Sequence, residues 1–365
     1  MNQYLYPMYF SDIINAAISK DSDRPLMQKE LYAVSDLLQQ YLEKYRRDIV
    51  LPINYAELFY YSHTNSIKDA NGKPTHWENV VYDKALLSEL KPKLLTVFAL
   101  LNKQENIPAE SLEIKAIDFC EFANSMPFRI TIINTQNDQA DFFYIKSADA
   151  SRIYGLELEQ LLSPNQSNFF YHQQTLAEAH IDGTPGDIFL QQTNQLTQEE
   201  QLLLAEEFVR FNERCFTRLL GDMRSYNFVV VKNQQPPGVS FRIKAIDFDQ
   251  QCYEGRMNLY LPQFYKENYG YVQMTNSLLD NELIEQIRLS ESRSMAAMAI
   301  KNSRRLSELL QVMSKEEISE NYKIVSLRKE LGTVFHTHRY TKCKTMGCIV
   351  KQQLKQMLHR HLQPE

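Results

Sequence analysis

Between Leu196 and Asp249 the apolar pattern changes period, and no other feature constrains the fold as much. Thr197 is followed three residues later by Glu200, a capping-box signature. Leu202, Leu203, Ala205, Phe208, Val209, Phe211, Asn212, Cys215, Phe216 and Leu219 then recur at helical spacing, and Gly221 stands where a helix-terminating glycine is expected. The β-branched run Phe228-Val-Val-Val231, the turn Gln234-Gln-Pro-Pro-Gly238 and the strand reaching Asp247 read as a hairpin. A long helix that hands the chain to a hairpin points to an α+β architecture.

The hairpin holds Asp222, Asn227 and Asp247 at one end, so three oxygen-bearing groups converge. Asp and Asn often do no more than cap turns. The same set is also what phosphoryl transfer requires: a carboxylate to orient a hydroxyl, and an amide plus a carboxylate for Mg²⁺.

At 365 residues the chain is long enough for a large core and for two domains. Its 44% hydrophobic and 23% charged fractions are those of an ordinary globular protein. No apolar run reaches the roughly 20 residues that span a bilayer, and Met1-Asn-Gln-Tyr-Leu-Tyr-Pro7 lacks the basic start and apolar stretch of a signal peptide. Five scattered cysteines fit reduced thiols and a cytoplasmic location. The net charge of −5 argues against nucleic-acid binding.

Residues 1–110 read as a helical accessory region, with helices over 27–49 and from about Asp83 to Lys103, and with Thr64–Thr75 as a surface loop before Trp77. From about residue 111 to 195 the pattern is that of a small β-rich lobe. Leu112–Phe119, Phe128–Ile133, Asp141–Lys146, Thr175–His180 and Asp187–Leu190 read as strands, and Ala150–Leu162, preceded by Asp149, as a helix. Lys146 ends an apolar strand, where burial demands an anion. A nucleotide phosphate would supply one. Glu157 would supply another, lying between Ile153 and Leu161 on the apolar face, whereas Glu159 falls with Arg152 on the polar side.

Lys-Ala-Ile-Asp-Phe occurs twice, at 115–119 and 244–248. Only the second has an Asp-x-x-x-x-Asn unit upstream, so Asp118 reads as a strand-terminus residue. Asp222-Met-Arg-Ser-Tyr-Asn227 resembles the catalytic loop of protein kinases, and Ala245-Ile-Asp-Phe-Asp249 resembles their metal motif. Leu-Gly-Asp followed by Ile-Asp-Phe is most similar to the atypical branch. That branch includes phosphoinositide kinases, bacterial toxin–antitoxin serine kinases and aminoglycoside or choline phosphotransferases.

The resemblance covers roughly residues 112–310. It implies a two-lobed kinase-like fold with a small β-rich lobe, a larger mainly helical lobe over 196–322 and a helical N-terminal extension. It implies an ATP- and Mg²⁺-dependent phosphotransferase acting on a hydroxyl of a protein, small molecule or lipid. Asp222 would orient that hydroxyl, Asn227 and Asp247 would hold Mg²⁺, and Lys146 with Glu157 would clamp the phosphates. The adenine hinge would lie near Leu190–Asn194, with Gln191 and Gln192. Three features depart from the family: no glycine stands between Pro127 and Lys146, Arg224 stands where phosphoinositide kinases carry a histidine, and Asp249 replaces the last glycine of the metal motif, where it would serve as a further metal ligand. These departures leave room for AMP transfer, or for an inactive nucleotide-binding or scaffold protein.

Gln250–Tyr271, rich in tyrosine, would shape the acceptor site; Leu278–Ile300 and Ser303–Met313 read as helices. From Lys323 to Arg360 nine Lys or Arg stand against the single Glu330. This basic tail, 323–365, reads first as a helix packed on the chain's own acidic body. Its second reading is a weak contact with an anionic membrane or an acidic partner through 323–361. His336, His338, Cys343 and Cys348 lack the spacing of a zinc site.

Overall fold

The computed structural model describes residues 29–69, 71–102, 109–165, 167–235 and 238–359. They divide into two compact units, one holding the described residues of 28–150 and 167–180, the other those of 151–166 and 181–365.

The first unit opens with helix α1 (Asp36–Lys44), whose N-cap Ser35 hydroxyl accepts from the Leu38 N–H at 3.1 Å. The helix expected over 27–49 is thus shorter, because Arg46 takes a left-handed φ of 55° and turns the chain away; Met27 and Gln28 lie outside the described residues. The polar run over 64–75 is a hairpin rather than a loop, formed by strands β1 (His63–Lys68) and β2 (Pro74–Val81). Asp69 builds its turn, with Oδ1 accepting from the N–H groups of Asn71 and Lys73 at 2.9 Å each. Helix α2 (Lys84–Asn102) follows as expected, and then strands β3 (Leu112–Phe119), β4 (Phe128–Asn134) and β5 (Gln139–Ser147). Two further strands, β6 (Phe169–His172), which the sequence pattern did not reveal, and β7 (Thr175–Ala179), complete the unit.

These strands make one antiparallel sheet in the order β1-β2-β3-β4-β5-β7-β6. Residues 63–102, expected in a separate helical extension, therefore belong to the sheet unit. Leu90, Leu94, Val97, Phe98 and Leu101 of α2 join Ile130, Ile132, Phe143 and Ile145 of the sheet in one core. Each such side chain contributes roughly 1.5–3 kcal/mol on full burial, which is what holds α2 to the sheet.

The second unit begins with helix α3 (Ala150–Leu162), buried on nearly every side. The polar face expected at Arg152 and Glu159 does not exist, since both are buried. Strand β8 (Thr184–Pro185) leads into helix α4 (Gly186–Gln191), so Asp187–Leu190 is helical rather than extended. Only glycine fits at 186, because a Cβ there would meet the Phe228 ring at 2.2 Å. Helix α5 (Gln198–Arg218) carries the Thr197–Glu200 capping box, and it ends on Leu219, left-handed at φ 56°, not on the glycine two residues later. Strands β9 (Phe228–Gln235) and β10 (Gly238–Ala245) form the hairpin, and β8 joins its β9 edge; Pro236 and Pro237 of its turn lie outside the described residues.

Among the described residues five more helices complete the unit: α6 (Tyr269–Leu278), α7 (Asn281–Lys301), α8 (Ser303–Met313), α9 (Asn321–Val334) and α10 (Met346–Leu358). Helix α9 runs through Leu331-Gly332, and α10 packs on α5, α7, α8 and α9. The described part of the basic tail thus belongs to this unit; residues 360–365 lie outside the described residues. Among the described residues no helix is long and apolar enough to cross a membrane.

Candidate functional site

Buried charge seats the hairpin on α5. Arg214 donates to Glu207 at 2.7 Å, to Glu291 of α7 at 3.1 Å and to the Ile243 carbonyl of β10 at 3.0 Å. Glu207 in turn accepts from the Ile243 N–H at 2.9 Å. Glu207 and Glu291 raise the affinity of the Arg214 guanidinium for its proton against its burial.

The hairpin register pairs Phe228 with Ala245, and the Ile246 N–H donates to the Asn227 carbonyl at 3.0 Å. Residues 222–227 and 246–249 therefore leave the hairpin at the same end. The two segments are stitched together further on: Leu220 bridges Gln251, Gly221 N–H donates to the Gln250 carbonyl at 3.2 Å, and Gln251 Nε2 donates to the carbonyls of Arg218 and Leu219. Gly221 also keeps this approach close, since a Cβ would stand only 3.2 Å from the carbonyls of Gln250 and Leu259.

Asp222 adopts a left-handed backbone, φ 56°, a region that Asp tolerates better than most non-glycine residues. Its N–H donates to the Tyr265 hydroxyl at 2.9 Å. Its carboxylate accepts from Arg224 Nε at 2.7 Å and from Asn227 Nδ2 at 3.3 Å. Arg224 also reaches Glu267 at 2.8 Å and lies 5.0 Å from the centroid of the Tyr265 ring. Burial pushes the Asp222 carboxyl above the usual carboxylate range, against the pull of Arg224. Asp222, Arg224 and Asn227 are thus one hydrogen-bonded group.

Asp247 and Asp249 are held by a residue the sequence pattern placed elsewhere. Arg152 of α3 donates through Nη1 to Asp247 at 3.1 Å and to Asp249 at 2.8 Å, and through Nη2 to the Ile246 carbonyl at 3.3 Å. The Asp249 N–H also donates to Asp247 Oδ1 at 2.9 Å. Burial foremost, and then the Asp249 carboxylate, raise the Asp247 carboxyl to about 6, and Arg152 opposes them. Asp247 keeps 29% of its side chain open to solvent whereas Asp249 keeps 4%. Asp247 is therefore the carboxylate an incoming group can reach.

Arg152 occupies Oδ1 of each aspartate. Among the described residues no hydrogen bond is made to either Oδ2 or to the Asn227 amide oxygen. These three oxygens suit a hard cation. No group of three His, Cys, Asp or Glu side chains able to hold a metal occurs among the described residues. A metal here would need oxygens from its ligand, which is how Mg²⁺ is commonly held on phosphates.

Lys146 and Glu157 fall in different units, and each meets an opposite charge in its own. Lys146, on β5, pairs at 3.0 Å with Glu178 of β7 and lies 5.2 Å from the Tyr144 ring centroid. Glu178 stands opposite Tyr144 in the register, so it is the diagonal neighbour of Lys146. Glu157, wholly buried, takes a forked pair from Arg305 of α8 at 2.6 and 2.7 Å. Gln191 and Gln192 lie exposed at the end of α4. Asp118, in β3, accepts from Arg129 at 2.8 Å and Asn79 at 3.0 Å, a cross-strand role that accounts for it structurally. Compared with known protein families and with curated proteins, the sequence matches none.

Proposed function

We propose that the chain is an atypical ATP- and Mg²⁺-dependent phosphotransferase whose acceptor is a hydroxyl group. The observation that carries this reading is the hairpin end, where the Asp222 loop and the Asp247 segment emerge side by side. Asp222, held by Arg224 and Asn227 and raised by burial, would orient the acceptor hydroxyl and accept its proton. Asn227, Asp247 and Asp249 would hold Mg²⁺, which when bound neutralises charge on the phosphates. Gln191 and Gln192 enter the proposal as nucleotide contacts on the strength of chain order alone.

A second reading has its own observation. The Arg152 guanidinium sits on both aspartates and supplies a fixed positive charge beside the position proposed for the metal. It supports a nucleotide-binding protein that needs no cation and transfers nothing.

Thermal unfolding with ATP, with and without Mg²⁺, separates the two. Binding at a hundred times the dissociation constant adds about 2.7 kcal/mol, which raises Tm by roughly 3–4 °C for a chain of this length. The first reading expects that rise to need both ligands and to vanish in Asp247→Ala. The second expects a rise with ATP alone. No rise under either condition sinks both. Transfer of label from γ-labelled rather than α-labelled ATP distinguishes a phosphoryl from an AMP product.

A further inference from the structure

A cavity of about 610 Å³ in the second unit lies between the 3₁₀ turn Arg339–Lys342 and α10, well away in sequence from the hairpin end. Its wall is cationic. Lys351 and Lys355 stand one turn apart on α10, and Arg339 and Lys342 three residues apart on the 3₁₀ turn, with His338 beside them. Among the described residues no Asp or Glu lines the cavity, and none of these four cations makes an ion pair. Like charges at such spacing repel, and the chain as a whole is acidic at −5, so this local excess runs against the average.

A second observation is independent of charge. Gln352 also lines the cavity, and its buried amide nitrogen has no hydrogen-bond partner among the described residues. The Cys343 thiol on the same wall is pushed up to about 12, by burial first and then by Cys348, so it stays neutral and adds no negative charge.

We infer that this cavity is a binding site for a small molecule carrying two or more phosphate groups. Two rows of cations on separate elements call for two anionic groups rather than one. The ammonium groups of Lys342, Lys351 and Lys355 and the Arg339 guanidinium suit phosphate oxygens. The site does not depend on the proposed phosphotransfer reading.

Calorimetric titration of the full chain with sodium tripolyphosphate, without Mg²⁺ and at constant ionic strength, tests it. Saturable binding is expected, at least tenfold weaker in Lys351→Gln/Lys355→Gln. The Arg339→Gln/Lys342→Gln pair, on an exposed turn, gives the same reading should the helix variant fail to fold. Absence of saturable binding, or equal binding by wild type and both variants, overturns the inference. Flotation on phosphatidylcholine vesicles with and without a phosphoinositide bisphosphate distinguishes the source. Flotation that requires the phosphoinositide and is lost in the same variants assigns the site to a lipid headgroup. Flotation indifferent to all four positions counts against the site.

Discussion

Arg152 Nη1 lies 3.1 Å from Asp247 and 2.8 Å from Asp249, so one buried guanidinium holds both carboxylates of the Asp-Phe-Asp segment. Neither carboxylate is isolated from the other, and the Asp249 N–H bonds to Asp247 as well. Removing the cation leaves two neighbouring acids to repel. Arg152→Met should therefore cost about 3–5 kcal/mol at pH 8, the usual penalty for breaking a buried pair from one side. The loss should be smaller at pH 5, where protonation relieves the repulsion. Urea unfolding at the two pH values checks this, and equal losses would contradict it.

Asp247 itself should leave a signature in stability against pH. Its folded carboxyl is raised to about 6, above its ordinary value of 3.8. A folded state that binds the proton more tightly gains stability at low pH, with the full contribution below about 4 and its loss as pH rises through about 6. Asp247→Asn removes this dependence. The variant should thus gain on wild type in Tm between pH 4 and pH 7, and a difference that stays flat across that window would rule the mechanism out.

The helices and strands of this chain were largely legible because their signals are local. The capping box at Thr197 and Glu200, the helical spacing of 84–102 and the extended runs at 112–119 and 128–134 each appear in the structure. The hairpin that sets Asp222, Asn227 and Asp247 at one end was equally readable. Arg152 was not. A helical wheel assigns polar residues to solvent, and α3 is buried on nearly all sides, so its charged residues are satisfied by partners far away in sequence. The same failure misplaced the hairpin at 63–81, whose polar residues read as a loop because both its strands are only partly buried. Lys146 was correctly expected to need an anion, and Glu178 supplies one through the strand register, which spacing along the chain does not reveal.

Glu157 and Arg305 offer a test of long-range coupling within the second unit. They are 148 residues apart in sequence, and the carboxylate is fully buried whereas the guanidinium keeps 22% of its surface. Forked charge-assisted bonds of this kind are among the stronger side-chain pairs. A double-mutant cycle over Glu157→Gln and Arg305→Gln should return a coupling of at least about 1 kcal/mol. Additive losses would show that the pair forms no energetic unit.

Gly155 separates helix propensity from packing. It stands in the middle of α3, where alanine is ordinarily better by about 1 kcal/mol. A Cβ there, however, would approach the Phe248 Cβ to 2.8 Å and the Gln251 Cβ to 3.2 Å. Phe248 lies between Asp247 and Asp249, and Gln251 fastens the segment to the carbonyls of Arg218 and Leu219. Forcing these apart costs roughly 1–3 kcal/mol by overpacking, so Gly155→Ala should lower stability despite the better helix former. It should also loosen the grip of Arg152 on the two aspartates. In Gly155→Ala, the Asp247→Asn substitution should then alter the pH dependence of Tm less than it does in wild type. A more stable Gly155→Ala protein with the wild-type pH profile would show that α3 and the Asp-Phe-Asp segment are not in the tight contact described.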